Sequence, residues 1–264
     1  MKETRVWVRR ERPTVLAWSI ALAVTMLAVY ALTWTAAQPE ARSVAAVPRV
    51  TREIELEGMK GWCVTLGRFS DAGQARVEAA GCAARGAAGG LYEADGAWQV
   101  LGAMYDSEAQ ARRAAKKIVD GDDLEAGVLP MEVKEARLRV TAPETQIDLI
   151  EGADALLRKQ AGTLGTLAVQ LEKGQAQPEA VRTLCALAAT EAGAMAEKLN
   201  VFPGASENAL CAALTERLGA LSEQLNAISR TGQSSVAALA GMLRLAGIDD
   251  FMGLVNLRER ILGG

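Results

Sequence analysis

The sequence predicts an α+β protein with an N-terminal transmembrane helix, a small β-α-β-β-α-β layer and an all-α C-terminal region. Three observations carry that prediction. Residues 15–37 run for 23 positions without a charge. The stretch WCVTLGRFSDAGQAR, beginning at Trp62, returns 36 positions later as WQVLGAMYDSEAQAR, beginning at Trp98. From Thr141 onward Ala and Leu dominate, in a chain of 264 residues that is 50% hydrophobic but only 4% aromatic, the composition of closely packed helices. The parts are then a cytoplasmic tail (1–14), a transmembrane helix (15–37), a linker (38–58), the repeat layer (59–140) and a helical bundle or coiled-coil-like region (141–264).

The apolar run from Val15 to Ala37 would span roughly 35 Å as a helix, enough for a bilayer core with slight tilt. Trp18 and Trp34 lie near its ends, where amphipathic rings favour the headgroup level. Arg5, Arg9, Arg10 and Arg12 precede it, so the N-terminus is expected in the cytoplasm and the bulk of the chain outside, in a single-pass protein of the cell membrane. A cleaved signal peptide competes, because Thr35 and Ala37 offer small residues at a cleavage site, but the run exceeds the usual apolar region of ~7 to 15 residues.

Pro39, Pro48 and mixed charges mark the linker, which turns extended near Val50 to Leu56 through alternating apolar residues. Then the repeat begins. Six of the 19 positions from Trp62 to Ala80 are identical to their partners 36 residues on. Period-2 alternation places Trp62, Val64 and Leu66 on one face of a strand and Cys63 and Thr65 on the other. Ser70 or Asp71, and Asp106 or Ser107, read as N-caps of Ala-rich helices. The pair Asp95-Gly96 signals a hairpin between two short strands. AGVLPMEVKEARLRV adds a last strand, edge-like because of Pro130. This order is the ferredoxin-like split βαβ arrangement, in which two helices cover one sheet face and leave the other open. The repeat follows from its pseudo-twofold symmetry.

These residues resemble the SPOR domain of bacterial cell-division and sporulation proteins. That family's halves read aromatic-x-Val-Gln-x-Gly-x-Phe and Arg-Val-x-x-Gly-x-Phe; WCVTLGRF and WQVLGAMY stand in those places here. The resemblance covers about residues 59–140. It implies a domain that binds peptidoglycan glycan strands, especially strands stripped of stem peptides, through the open sheet face. Thr65 occupies the position of the family's Gln, Gln99 that of its Arg, and Ala103 that of the second-half Gly, so Thr65 and Gln99 are the expected glycan contacts. A ferredoxin-like module whose sheet is covered by another part of the chain is the alternative, and Cys63 and Leu101 would then be the informative members of that face.

In the last region Ile147, Ile150, Leu157, Ala161, Leu164, Ala168 and Leu171 form a helical stripe with Asp154 as the one polar intruder. Pro178 suits a first helical turn, and Val181, Leu184, Ala188 and Met195 make a second stripe. Ser206 is expected to cap a third helix carrying Leu210, Leu214, Leu218, Leu221, Leu225 and Ile228, with one or two shorter helices from Gly232 to Ile261. Stripes of this kind serve a self-contained bundle or, through residues 144–262, self-association or docking of an envelope partner.

The chain has no His, which excludes Ser-His-Asp and Cys-His nucleophile systems and histidine metal ligation. The four Cys (63, 82, 185 and 211) match no metal or redox spacing. Asp122-Asp123 and Asp249-Asp250 are expected as caps or solvated turns rather than acid-base pairs. The net charge of −3 argues against nucleic acid. No enzyme activity and no cofactor are expected. Two functions remain: a membrane-anchored glycan reader, or an envelope scaffold in which the repeat layer is structural.

Overall fold

The computed structural model describes residues 48–122, 125–202, 208–232 and 234–263. Six strands and six helices follow in the order β1 (Arg49–Leu56), β2 (Met59–Phe69), α1 (Ala72–Ala84), β3 (Gly90–Ala94), β4 (Ala97–Tyr105), α2 (Glu108–Asp122), β5 (Ala126–Val133), β6 (Ala136–Pro143), α3 (Glu144–Glu172), α4 (Pro178–Asn200), α5 (Ala209–Ser229) and α6 (Val236–Leu262). The expected membrane-spanning helix at 15–37 lies outside the described residues. Among those residues no helix is long and apolar enough to cross a membrane, and the expectation of a single-pass membrane protein is corrected accordingly. The longest of the described helices carry charges along their length: α3 has Asp148, Glu151, Asp154, Arg158 and Lys159, and α6 has Arg244, Asp249, Asp250 and Arg258.

The repeat folds as its pattern predicts. β2, β3, β4 and β5 form an antiparallel sheet in the order β3-β4-β2-β5, with one helix inserted after each strand of the central pair. Asp71 caps α1 by accepting from Gln74 N–H, and Ser107 C=O opens α2. Trp62, Val64 and Leu66 face α1 and α2, where they pack with Val100, Ala79 and Ala111. The central pair carries two irregularities, one skipping Gly102 on β4 and one skipping Gly67 on β2. Gly67 has φ +68°, a conformation that side chains disfavour, so the second bulge needs glycine there.

The last strand differs from its expected form. It breaks at Lys134 and Glu135 into β5 and β6, and β6 pairs with β1, which precedes β2 by only Glu57 and Gly58. Two consecutive antiparallel pairings thus make one long ribbon that leaves the four-stranded sheet at this junction. A Cβ at Gly58 would lie 2.8 Å from Val133 carbonyl oxygen, so the close crossing requires glycine.

The helices form an up-down-up-down bundle. Ser222 donates to Ala189 C=O between α5 and α4, Arg217 donates to Asp249 C=O between α5 and α6, and Arg244 pairs with Glu172 between α6 and α3. Pro178 opens α4 as expected, but the buried stripe of α4 is Val181, Cys185, Ala189 and Ala192, leaving Leu184 exposed. Asn208 caps α5 by accepting from Leu210 and Cys211 N–H; the expected cap Ser206 lies outside the described residues. The final segment is one 27-residue helix rather than one or two short ones. The described residues make one compact unit, because α6 and α3 pack on the sheet face opposite α1 and α2.

Candidate functional site

The sheet face assigned to glycan is not open. Cys63 and Leu101 are 0% and 4% exposed and share a core with Leu243 and Phe251 of α6. Phe251 lies so close to β2 that a Cβ at Gly61 would meet its ring at 3.2 Å, and a Cβ at Gly90 would meet Leu245 at 3.1 Å. Burial pushes the Cys63 thiol up to about 12, which makes it an inert apolar group. Thr65 is buried on this face, 6% exposed, while Gln99 is half-buried. They are not cross-strand partners: Thr65 stands opposite Leu101, and Gln99 stands opposite Arg68, further along β2. Thr65 is therefore not offered to solvent as a contact for sugar hydroxyls, and Gln99 is only partly exposed.

All four cysteines are free and buried. Burial raises the thiols of Cys82 and Cys211 above their ordinary range and that of Cys185 to about 11. Among the described residues no group of three His, Cys, Asp or Glu side chains is placed to hold a metal ion. Asp249 and Asp250 are neither a cap nor a turn: both lie inside α6, and Asp250 is 1% exposed. Neither oxygen of Asp250 has a hydrogen-bond partner, and Arg217 approaches it at 3.6 Å. Burial outweighs that cation and raises the Asp250 carboxyl to about 7.

Concave surface lies elsewhere. A cleft of about 670 Å³ separates α2 from α3, with the end of β4 and part of α6 as its floor. Arg113 and Lys117 reach it from one turn of α2, Lys173 from the end of α3, and Gly162 and Gly165 leave the α3 wall bare. Tyr105 closes the inner end; burial pushes its phenol up, against the pull of nearby Arg244. Arg244 is held in place by a two-pronged ion pair to Glu172 and by Gly86 C=O. A recess of about 200 Å³ adjoins the cleft and shares Ala103, Tyr105 and Arg244 with it. Sequence reasoning missed this site. Its signal was the pair Arg113 and Lys117, four apart and beside the buried Ala111 and Ala115, but nothing local indicates that α3 lies across from them.

No family model, no curated protein and no solved structure matches the chain.

Proposed function

We propose that this chain is an interaction scaffold, in which the SPOR-like layer is a structural part of one body with the helical bundle and the bundle side docks a partner. The observation that carries the reading is the burial of Cys63 and Leu101 beneath α6. A sheet that reads glycan needs that face exposed with donors and acceptors on it. Here the face is apolar and filled, and Thr65 is buried with it.

Co-sedimentation of the purified full chain with peptide-stripped sacculi tests this. The scaffold reading expects the chain to stay in the supernatant. Pelleting that disappears when Thr65 and Gln99 are both replaced by Ala would restore the glycan reading. Leu101→Glu provides an independent check: an unpaired charge in a filled core costs at least about 3 kcal/mol, whereas an open face would tolerate it.

A further inference from the structure

The cleft between α2 and α3 has features that the fold alone does not require. Its long wall runs from Ala161 to Lys173, about 18 Å by helical rise, the reach of about five or six extended residues. A Cβ at Gly162 would meet nothing within 4 Å, and at Gly165 the nearest atom would be 3.8 Å away. Alanine would fit at both positions and is the better helix former, so packing does not account for these glycines. An unobstructed wall does.

Charge points the same way. Among the described residues no carboxylate lies within ion-pairing distance of Arg113, Lys117 or Lys173. Of the two carboxylates on the lining, Glu172 is taken by Arg244 and only Asp106 remains. Cations thus exceed carboxylates by two here, on a chain whose formal net charge is −3. The adjoining recess adds an apolar wall of Val64, Leu66 and Ile118, with Arg85 and Arg244 also on its lining.

We propose that this cleft docks an extended acidic segment of a partner protein, one aliphatic side chain entering the recess while flanking carboxylates meet Arg113, Lys117 and Lys173. The proposal rests on the scaffold reading and gives it a surface and a partner class. A glycan strand has no aliphatic side chain for the recess, which is why a peptide is the occupant the geometry favours. Arg113 and Lys117 are exposed rim charges, so they should act mainly on association rate and on salt dependence.

Fluorescence anisotropy on the full chain tests it, with a labelled octapeptide holding one Leu among Glu and Asp residues and a Lys/Arg octapeptide of the same layout as control. The expected result is saturable binding of the acidic peptide alone, weakened as salt rises. Reversing both Arg113 and Lys117 to Glu should weaken it at least about 10-fold. Gly162→Leu should do the same with no change of charge, since the leucine enters open space and leaves the fold intact. Equal binding of the basic peptide, no binding up to about 1 mM, or binding unmoved by Gly162→Leu would overturn the proposal. None of these results touches the scaffold reading, which stands or falls on the sacculi. Sacculus pelleting that Gly162→Leu abolishes would overturn both, by making the cleft a glycan site.

Discussion

Asp154 of α3 accepts a hydrogen bond from Arg258 of α6, and both side chains are 1% exposed. Asp154 is the polar intruder in an otherwise apolar helical stripe, and this pair is its explanation. Its second oxygen accepts from Arg158, which reaches on to Glu57, while Arg258 donates from Nε to Lys134 C=O. Glu57 and Lys134 belong to the two junctions at which the β-ribbon leaves the four-stranded sheet. One buried carboxylate therefore orients two arginines that hold both strands of the ribbon where it turns.

Removing one partner of that pair should cost far more than removing both. Arg258→Met leaves the buried carboxylate with Arg158 alone, and Asp154→Leu leaves a buried guanidinium, whose Nη1 already has no acceptor, with no carboxylate and only Lys134 C=O. Each single change should lower stability by about 3 to 5 kcal/mol, and the double variant should recover most of the loss. Denaturant unfolding of the four proteins measures the coupling. Additive losses would mean that the pair does not act as a unit.

The two repeat tryptophans should differ. Trp62 and Trp98 are both half-buried, so neither truncation should reach the cost of a filled core position. Trp62 packs on the Val64 and Val100 cluster, whereas Trp98 stands opposite Phe69 at the far end of the strand pair, outside that cluster. Trp62→Ala should cost about 2 to 3 kcal/mol and Trp98→Ala about 1. Thermal unfolding that ranks them the other way would contradict the packing.

Period-2 alternation made the two faces of β2 legible, because Trp62, Val64 and Leu66 can share a face only as a strand. It could not show what covers Cys63 and Thr65. That depends on α6, and in the sequence Asp249 and Asp250 interrupt the apolar pattern of α6 and read as helix ends. The same limit applied to the ribbon, where Lys134 and Glu135 are ordinary strand residues until β1 pairs with β6. The cleft was not legible for a related reason: Arg113 and Gly162 are distant in sequence and only the packing of α3 makes them face each other. Periodicity reports one element's environment as apolar or polar; it does not name the neighbour.

Two helix glycines should respond oppositely to alanine. At Gly241 a Cβ would lie 2.6 Å from Ala87 C=O and 3.1 Å from Ala83 C=O, both backbone, so α6 must move off the loop that follows α1. Gly241→Ala should cost at least about 2 kcal/mol. At Gly219 a Cβ would meet nothing within 4 Å, and Gly219→Ala should stabilise α5 by up to about 1 kcal/mol. Equal melting temperatures for the two variants would refute the close approach of α6 to the loop.

Asp250 should make the fold less stable as pH rises. Its carboxyl is raised from 3.8 to about 7 because burial penalises the charge, Arg217 of α5 opposes that only at 3.6 Å, and neighbouring Asp249 adds to it. Between those two values the native state holds a proton that the unfolded chain has released. Stability is therefore greatest below the unfolded value, falls as pH climbs from about 4 to about 7, and stays low above it, with a total change of at most about 4 kcal/mol. Asp249 is raised in the same direction by burial, with Gln224 and Arg217 pulling it back, so a shallower slope of the same sign should remain without Asp250. Asp250→Asn should flatten most of the dependence and exceed the parent chain in stability at pH 8, because the amide carries no charge to bury. Arg217→Gln should do the reverse, removing the cation nearest the carboxylate and carrying the decline to higher pH. The readout is the urea midpoint measured from pH 5 to pH 8 for the three proteins. A parent chain whose midpoint does not move over that range, or an Asn variant that keeps the full slope, would show that Asp250 does not hold its proton in the folded state.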